Sequence, residues 1–450
     1  MIPIRTVLAV SSLSLAFACT SSGPPPLSAE ALRAHVEVLA ADDMQGREMG
    51  SPGALRAAEY ISSVLQKAGF AMAGGMGTYQ QDIGMHGYST KGDLSAEFVG
   101  PAGKSFDALH GVDLRWLRGP PRQFTLDVKL VAAREDLPEF ADPHVALVLP
   151  VDGRTAMSWL GATHGDGWGA VIFAGPSTVG EPSSPPAMLI GDGNDPALLM
   201  ARGPLAADLA AGAYHTLHLK LDGADPVPAV NVVGLLPSED WRDEAIVLMA
   251  HYDHIGLADE GDDRVFNGAD DDASGVAMVL EIARALADGG SHGRAVVVLL
   301  VTGEERGLLG SRAYVQAPAV PLHSTVAALN FEMVGRPDPN FGPGELWLTG
   351  YDRSDLGSTW AQVGLPISAD PYPDQSFFMR SDNASFARAG IVSQTLSSFG
   401  MHDDYHRVTD EVHTLDFEHM AACAEVAYTA VRILVDKGFT PTWSEDGRPQ

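Results

Sequence analysis

Asp271 lies in the run Gly268-Ala269-Asp270-Asp271-Asp272-Ala273-Ser274-Gly275, between His251-Tyr252-Asp253 and Glu304-Glu305. Asn330-Phe331-Glu332 and Tyr405-His406 follow further along the chain. The flanking blocks close apolar, strand-like runs. Two histidines and several carboxylates at loop positions can hold two divalent metals, with one carboxylate shared between them. That donor set points to metal-assisted hydrolysis.

Hydrolysing an amide requires a strong nucleophile, a polarised carbonyl and a proton for the leaving amine. Two zinc ions a few ångströms apart can bind one bridging water, lower its pKa and hold the carbonyl oxygen. A carboxylate that is not a ligand must then carry the water's proton to the amine. The adjacent Glu304 and Glu305 suit such a division, one as base and the other as ligand.

Several strands must deliver these groups to one place. Ala245 to Met249 is a continuous apolar strand leading to His251, Ala295 to Val301 is a second ending near Glu304, and Val326 to Phe331 is a third ending at Glu332. Between the first two, Ser274 to Ala287 reads as a helix with Val276, Leu280, Ala283 and Leu286 on one side. Strand–helix alternation of this kind predicts an α/β fold with a mostly parallel central sheet flanked by helices. In such sheets ligands gather outside the carboxyl ends of the strands, where all three blocks would place their polar residues. A terminal helix from about Phe417 to Lys437 completes this part. Upstream, Ser28 and Ser51-Pro52 are start signals for two helices, the second ended by Gly69.

The texture differs over 105–225. Phe124, Leu126, Val128 and Leu130 alternate with polar residues, and 145–149, 170–174 and 217–221 add short strands between Gly/Pro-rich turns. The predicted division is therefore 28–104 and 226–450 as two parts of one domain, with 105–225 as a β-rich insertion. His164, Asp166, His215 and His218 lie in that insertion without metal-like spacing and read as surface or loop residues.

The chain of 450 residues carries a net charge of −29, which disfavours nucleic acid because phosphates would be repelled. Arg5 and the apolar run Val7 to Ala18 read as a signal peptide over 1–18. Ala16-Phe17-Ala18-Cys19 resembles a bacterial lipobox, implying a lipidated Cys19 and a tether over 19–27. The expected place is outside the cytoplasm: at the cell envelope, periplasmic or outer-membrane, with membrane contact only through that lipid, or secreted where the ordinary signal peptidase makes the cut. Cys423, in an Ala-rich helical stretch, reads as a small buried hydrophobe.

HYD, GADDDASG, EERGLLGS, NFEMVGRP and DYHRVTD, in this order, resemble the co-catalytic dinuclear zinc aminopeptidase family, which includes secreted bacterial leucyl aminopeptidases. The resemblance is strong over about 230–437 and moderate over 28–70. The 105–225 segment is similar to the protease-associated domain that many members carry as an insertion.

The resemblance implies two zinc ions per chain and peptide substrates. His251 and Glu332 would bind one zinc, Glu305 and His406 the other, and Asp271 would bridge both. Glu304 would be the general base. Asp253 matches the aspartate that orients the His251 ring, and Tyr405 matches a tyrosine that steadies the tetrahedral oxyanion in some members. The family also implies a cis peptide between Asp271 and Asp272. Glu332 departs from the pattern, standing where many members have aspartate, but still offers a carboxylate.

Other polar residues near these blocks have plainer readings. Asp270 and Asp272 suit capping of the following helix, His254 and His402 suit pocket walls or solvent, and Asp259 to Asp263 suits the surface. Asp410 suits either orienting His406 or opening a turn. The expected activity is a zinc exopeptidase removing N-terminal residues. Three rivals share the fold: a carboxypeptidase using Arg380 or Arg388 for the terminal carboxylate, a glutaminyl cyclase, and a catalytically inactive receptor or scaffold.

Overall fold

The computed structural model describes residues 27–449 except 76, 90–93, 120–122, 162–166, 177–187, 192–194, 222–225, 239–243, 259–260 and 291. The expected signal peptide, Cys19 and nearly all of the tether lie outside the described residues, as do His164, Asp166, Asp259 and Glu260.

Helices α1 (Ala29–Leu39) and α2 (Pro52–Lys67) start where the sequence signals them. Ser28 and Ser51 accept hydrogen bonds from Ala31 N and Ala54 N, satisfying amides that the first turn leaves free.

The central sheet is built on five strands: β1 (Val227–Leu236), β2 (Ala245–His251), β3 (Ala295–Val301), β4 (Thr325–Phe331) and β5 (Val392–Ser397). They lie side by side in the order β5-β4-β2-β3-β1. β2 runs parallel to β3 and β4, and β4 parallel to β5, whereas β1 is antiparallel to β3. Leu346–Leu348 and Ile367–Ala369 extend one edge, and Gln80–Ser89 and Met188–Gly191 the other. The fold is mixed α/β, with a parallel centre and antiparallel flanks.

Every residue of β2 and β3 is buried, as continuous apolar runs require when both faces of a sheet are covered. Ile246, Leu248 and Ala250 pack toward α1, α2, α3 (Gly275–Asp288) and α4 (Phe417–Val435). Val247 and Met249 point the other way, to a core that includes Tyr314 and Phe386. Side-chain alternation along a strand thus feeds two cores from one segment. Among the described residues, no helix is long and apolar enough to cross a membrane.

A second sheet of eight strands lies between Leu94–Val99 and Thr216–Leu221 in the chain. It has its own buried cluster around Trp116, Leu126, Val148, Ile172 and Leu217. Ser105–Ala108 pairs with Leu94–Val99, which places this sheet's first strand upstream of residue 105.

Candidate metal centre

Register sets the site. His251 pairs across from Val301, and Met249 from Asn330, so the carboxyl ends of β2, β3 and β4 emerge at the same edge. His251 therefore stands beside the loop carrying Glu304 and Glu305 and beside Glu332, although up to 81 residues separate them.

Asp271 comes from the turn before α3, and its peptide bond to Asp272 is cis. Its carboxylate lies between two imidazoles: Oδ1 is 3.2 Å from His251 Nε2, and Oδ2 is 3.2 Å from His406 Nε2. His406 Nε2 is also 3.3 Å from Glu305 Oε1. Asp410 holds the turn in place, accepting hydrogen bonds from Asp270 N (3.0 Å) and Asp271 N (3.0 Å). At the start of the turn Gly268 has φ +57°, and a Cβ there would lie 2.3 Å from the Asp271 carbonyl oxygen. Only glycine fits so close an approach.

Glu332 accepts hydrogen bonds from Ser381 Oγ and from Asn330 Nδ2 (3.1 Å), which fix the longer side chain noted in the sequence. Burial pushes its carboxyl up to about 6. Glu304 is half-buried and its backbone N–H donates to Asp253 Oδ1 at 3.2 Å. Burial, reinforced by the charges of Glu332, Asp382 and Glu305, raises the Glu304 carboxyl well above its ordinary value. Burial would also raise Glu305, but hydrogen bonds with His254 and His406 bring it down to about 2.

His251 Nδ1 is 3.1 Å from the Asp253 carbonyl oxygen, and the Asp253 carboxylate is farther, at 3.8 Å. The ring is therefore held chiefly by the Asp253 backbone, while the side chain steadies the Glu304 loop. Tyr405 stacks on His406, with centroids 3.9 Å apart. Burial and the charges of Asp271, Glu305 and Glu332 push its hydroxyl above the ordinary tyrosine value, so it remains a hydrogen-bond donor.

The donor set fits divalent zinc. Imidazole nitrogens and carboxylate oxygens are the ligands zinc takes. His251 Nε2 is buried and faces Asp271 Oδ1 without a hydrogen bond of acceptable geometry, as a nitrogen directed at a cation would be. A cleft opens over this cluster, lined by Asp271, Glu304, Glu332, Tyr405 and His406 together with aromatic Trp347, Phe377 and Phe399. Arg380 lies on the same cleft, its guanidinium over the Phe377 ring. Arg388 lies elsewhere, beside Arg312 and Gln316.

Four of the plainer readings need correction. His254 is not a pocket wall: it is fully buried, with Nδ1 3.0 Å from Glu305 Oε1. His402 contacts Asp270 Oδ2 at 2.8 Å instead of facing solvent. Asp270 does not cap α3; its Oδ1 accepts from Gly335 N at 2.7 Å, tying the turn to the segment after β4. Asp410 neither orients His406 nor opens a turn, since it caps the Asp270 and Asp271 amides. Asp272 does bind the first amide of α3, Gly275 N (3.1 Å), and also Met333 N (3.0 Å). Sequence reasoning missed Ser381, Asp382 and Arg47 at the site, because each acts across a long stretch of chain. His254 did carry a signal, three residues after His251.

The sequence profile of Peptidase family M28 matches residues 231–431, the segment that contributes every one of these carboxylates and histidines. Leucine aminopeptidase 1 of Pyrenophora teres f. teres is 30% identical over 203 residues, covering 42% of this chain and 51% of that protein. A protein of Mycobacterium tuberculosis named "Probable lipoprotein aminopeptidase LpqL" is 33% identical over 142 residues, covering 29% of this chain and 28% of its own length. The chain spans about half the length of the first curated relatives it matches. Among solved structures, BSAP, a zinc aminopeptidase from Bacillus subtilis, superposes with a TM-score of 0.53 at 18% identity, covering 92% of this chain and 96% of that one. The aminopeptidase from Aneurinibacillus sp. strain AM-1 gives 0.52 at 19% identity, over 91% and 94% of the two chains. At these identities the likeness shows a shared fold.

Proposed function

We propose that this M28 protein is an exported zinc exopeptidase that removes N-terminal residues from peptides. The observation that carries the proposal is the Asp271 carboxylate, with one oxygen 3.2 Å from His251 and the other 3.2 Å from His406. A carboxylate placed in this way between two histidines suits a bridge between two ions. His251, Asp271 and Glu332 would hold one zinc; Asp271, Glu305 and His406 would hold the other. When bound, the ions supply acidification of a water and polarisation of the substrate carbonyl.

The chain's own residues account for the remaining chemistry. Glu304 lies on the cleft with a raised proton affinity, so it suits a base that takes the attacking water's proton and passes it to the departing amine. The Tyr405 hydroxyl, held protonated, can donate to the oxygen that gains charge as the carbonyl becomes tetrahedral. The aromatic wall of the cleft offers apolar surface to a substrate side chain. The lipid-anchored envelope location rests on the lipobox-like Ala16 to Cys19 and on the similarity to the named mycobacterial lipoprotein.

A second reading, carboxypeptidase, has one observation in its favour: Arg380 on the same cleft could receive a terminal carboxylate. The two readings separate on a peptide library, half with free and half with acetylated N-termini, incubated with zinc-loaded protein and analysed by mass spectrometry. Stepwise shortening of free N-termini alone supports the aminopeptidase. Shortening of blocked peptides from the C-terminus refutes it in favour of the carboxypeptidase, and no cleavage at all refutes both.

A further inference from the structure

His254 follows His251 by three residues, and its side chain is fully buried against the Asp271 and Glu305 carboxylates. Its Nδ1 lies 3.0 Å from Glu305 Oε1 and 3.8 Å from Asp271 Oδ2. His406 Nε2 approaches the same two oxygens, at 3.3 Å and 3.2 Å. The two rings meet edge to face, centroids 5.7 Å apart and planes at 72°. Two imidazole nitrogens thus converge on one pair of carboxylate oxygens. Donor atoms of His254, Asp271 and Glu305 all lie within 4.8 Å of one another. We infer that His254 is a further metal ligand, through Nδ1, at the position made by Asp271, Glu305 and His406. This rests on the zinc reading given under the proposed function.

The ring is built in place. Gly268 leaves room for it, since a Cβ there would lie 2.7 Å from both Cγ and Cδ2 of His254. The His254 backbone N–H donates to the Arg47 carbonyl oxygen, and the Arg47 guanidinium in turn holds the Tyr252 and Gly268 carbonyls. The loop on either side of the ring is therefore pinned. Nε2 is buried without a partner, so the polar contacts of this ring are all made by Nδ1 toward the cluster. A histidine that merely filled space would not need its one partnered nitrogen aimed at two carboxylates.

The consequence is an asymmetric pair of positions. His254, Asp271, Glu305 and His406 supply four donors, two nitrogens and two oxygens, all of them ligand types that zinc takes. His251, Asp271 and Glu332 supply three and leave a direction open toward the cleft, the usual pattern where substrate binds. The ion at the four-donor position is therefore the one retained on dialysis, and the ion beside Glu332 the one that exchanges first.

The test is a zinc-edge anomalous diffraction structure of the zinc-loaded chain, with cobalt-loaded H254A and H254Q as companions. An ion about 2.0–2.1 Å from His254 Nδ1 supports the assignment. Two bound ions with His254 Nδ1 hydrogen-bonded to Glu305 and beyond ~3 Å from either ion would overturn it while leaving the zinc reading intact; that distance lies well outside the bonding range. No ion at either position overturns both. In solution, loss of a direct ligand changes the cobalt absorption spectrum, whereas loss of a partner that only orients a ligand weakens binding by on the order of 10–100-fold and leaves the donor set, and so the spectrum, unchanged. A wild-type spectrum and stoichiometry in H254Q would show that His254 only positions Glu305, and the assignment would fall.

Discussion

Replacing Arg47 probes the frame on which the site rests. This guanidinium is fully buried. It donates to Leu39 O (2.6 Å), Tyr252 O (2.7 Å), Asn267 O (2.6 Å) and Gly268 O (2.9 Å), so one side chain joins the end of α1, the His251 loop and the Asp271 turn. Each hydrogen bond from a charged donor contributes about 1.5–3 kcal/mol, so four sum to about 6–12 kcal/mol. Burying the charge costs several kcal/mol of that, which leaves about 4 kcal/mol or more as the expected loss in R47M. Burial lowers the Arg47 guanidinium to about 10 against the pull of Asp410, Asp271, Asp253 and Asp272, so it is charged at neutral pH. R47K keeps the charge but not the planar fork; one ammonium cannot reach carbonyls on three segments, and about 2–3 kcal/mol should go. Calorimetry in the presence of chelator reads this without any contribution from bound metal. The R47M transition of the α/β core should fall by on the order of 8 °C or more, while the separately packed second sheet holds its own transition. An R47M midpoint within ~2 °C of wild type would refute the reasoning, being smaller than the shift about 1 kcal/mol produces.

Three other outcomes follow from the geometry. E304Q should keep two zinc ions per chain by elemental analysis while turnover falls by about 10²–10⁴-fold, the range for lost general-base catalysis; wild-type turnover would remove Glu304 as the base. H406A should bind one ion fewer, because its Nε2 faces both Asp271 and Glu305; unchanged stoichiometry would break that ligand assignment. Burial would raise the Glu281 carboxyl, but hydrogen bonds with His35 and Arg284 hold it below its ordinary 4.5. Its contribution is therefore fully present above that pH and lost as pH falls through the lower folded value. In urea titrations E281Q should be less stable than wild type at pH 7 by about 1–3 kcal/mol, with the gap closing in acid; a gap that widens in acid would contradict the sign.

How far the sequence reaches is clearest in β2, β3 and β4. Their unbroken apolar runs identify strands covered on both faces, and the polar residues just beyond them mark the edge where ligands gather. The helix starts at Ser28 and Ser51 were equally legible, because capping is local chemistry. So were the blocks containing His251, Asp271, Glu304, Glu305, Glu332 and His406, whose residue types declare their chemistry without any partner in view. What the sequence could not decide is who meets whom. Asp410 binds amides about 140 residues away, Arg47 binds carbonyls more than 200 residues away, and His254 finds Glu305 across 51 residues. None of these contacts leaves a periodicity or a spacing in the chain. They arise only when parallel register brings the ends of β2, β3 and β4 together and the turn before α3 closes over them. Side-chain type and strand pattern are local properties that the sequence alone determined; the convergence of Asp271 with its neighbours, and the burial that shifts their proton affinities, were decided by tertiary packing.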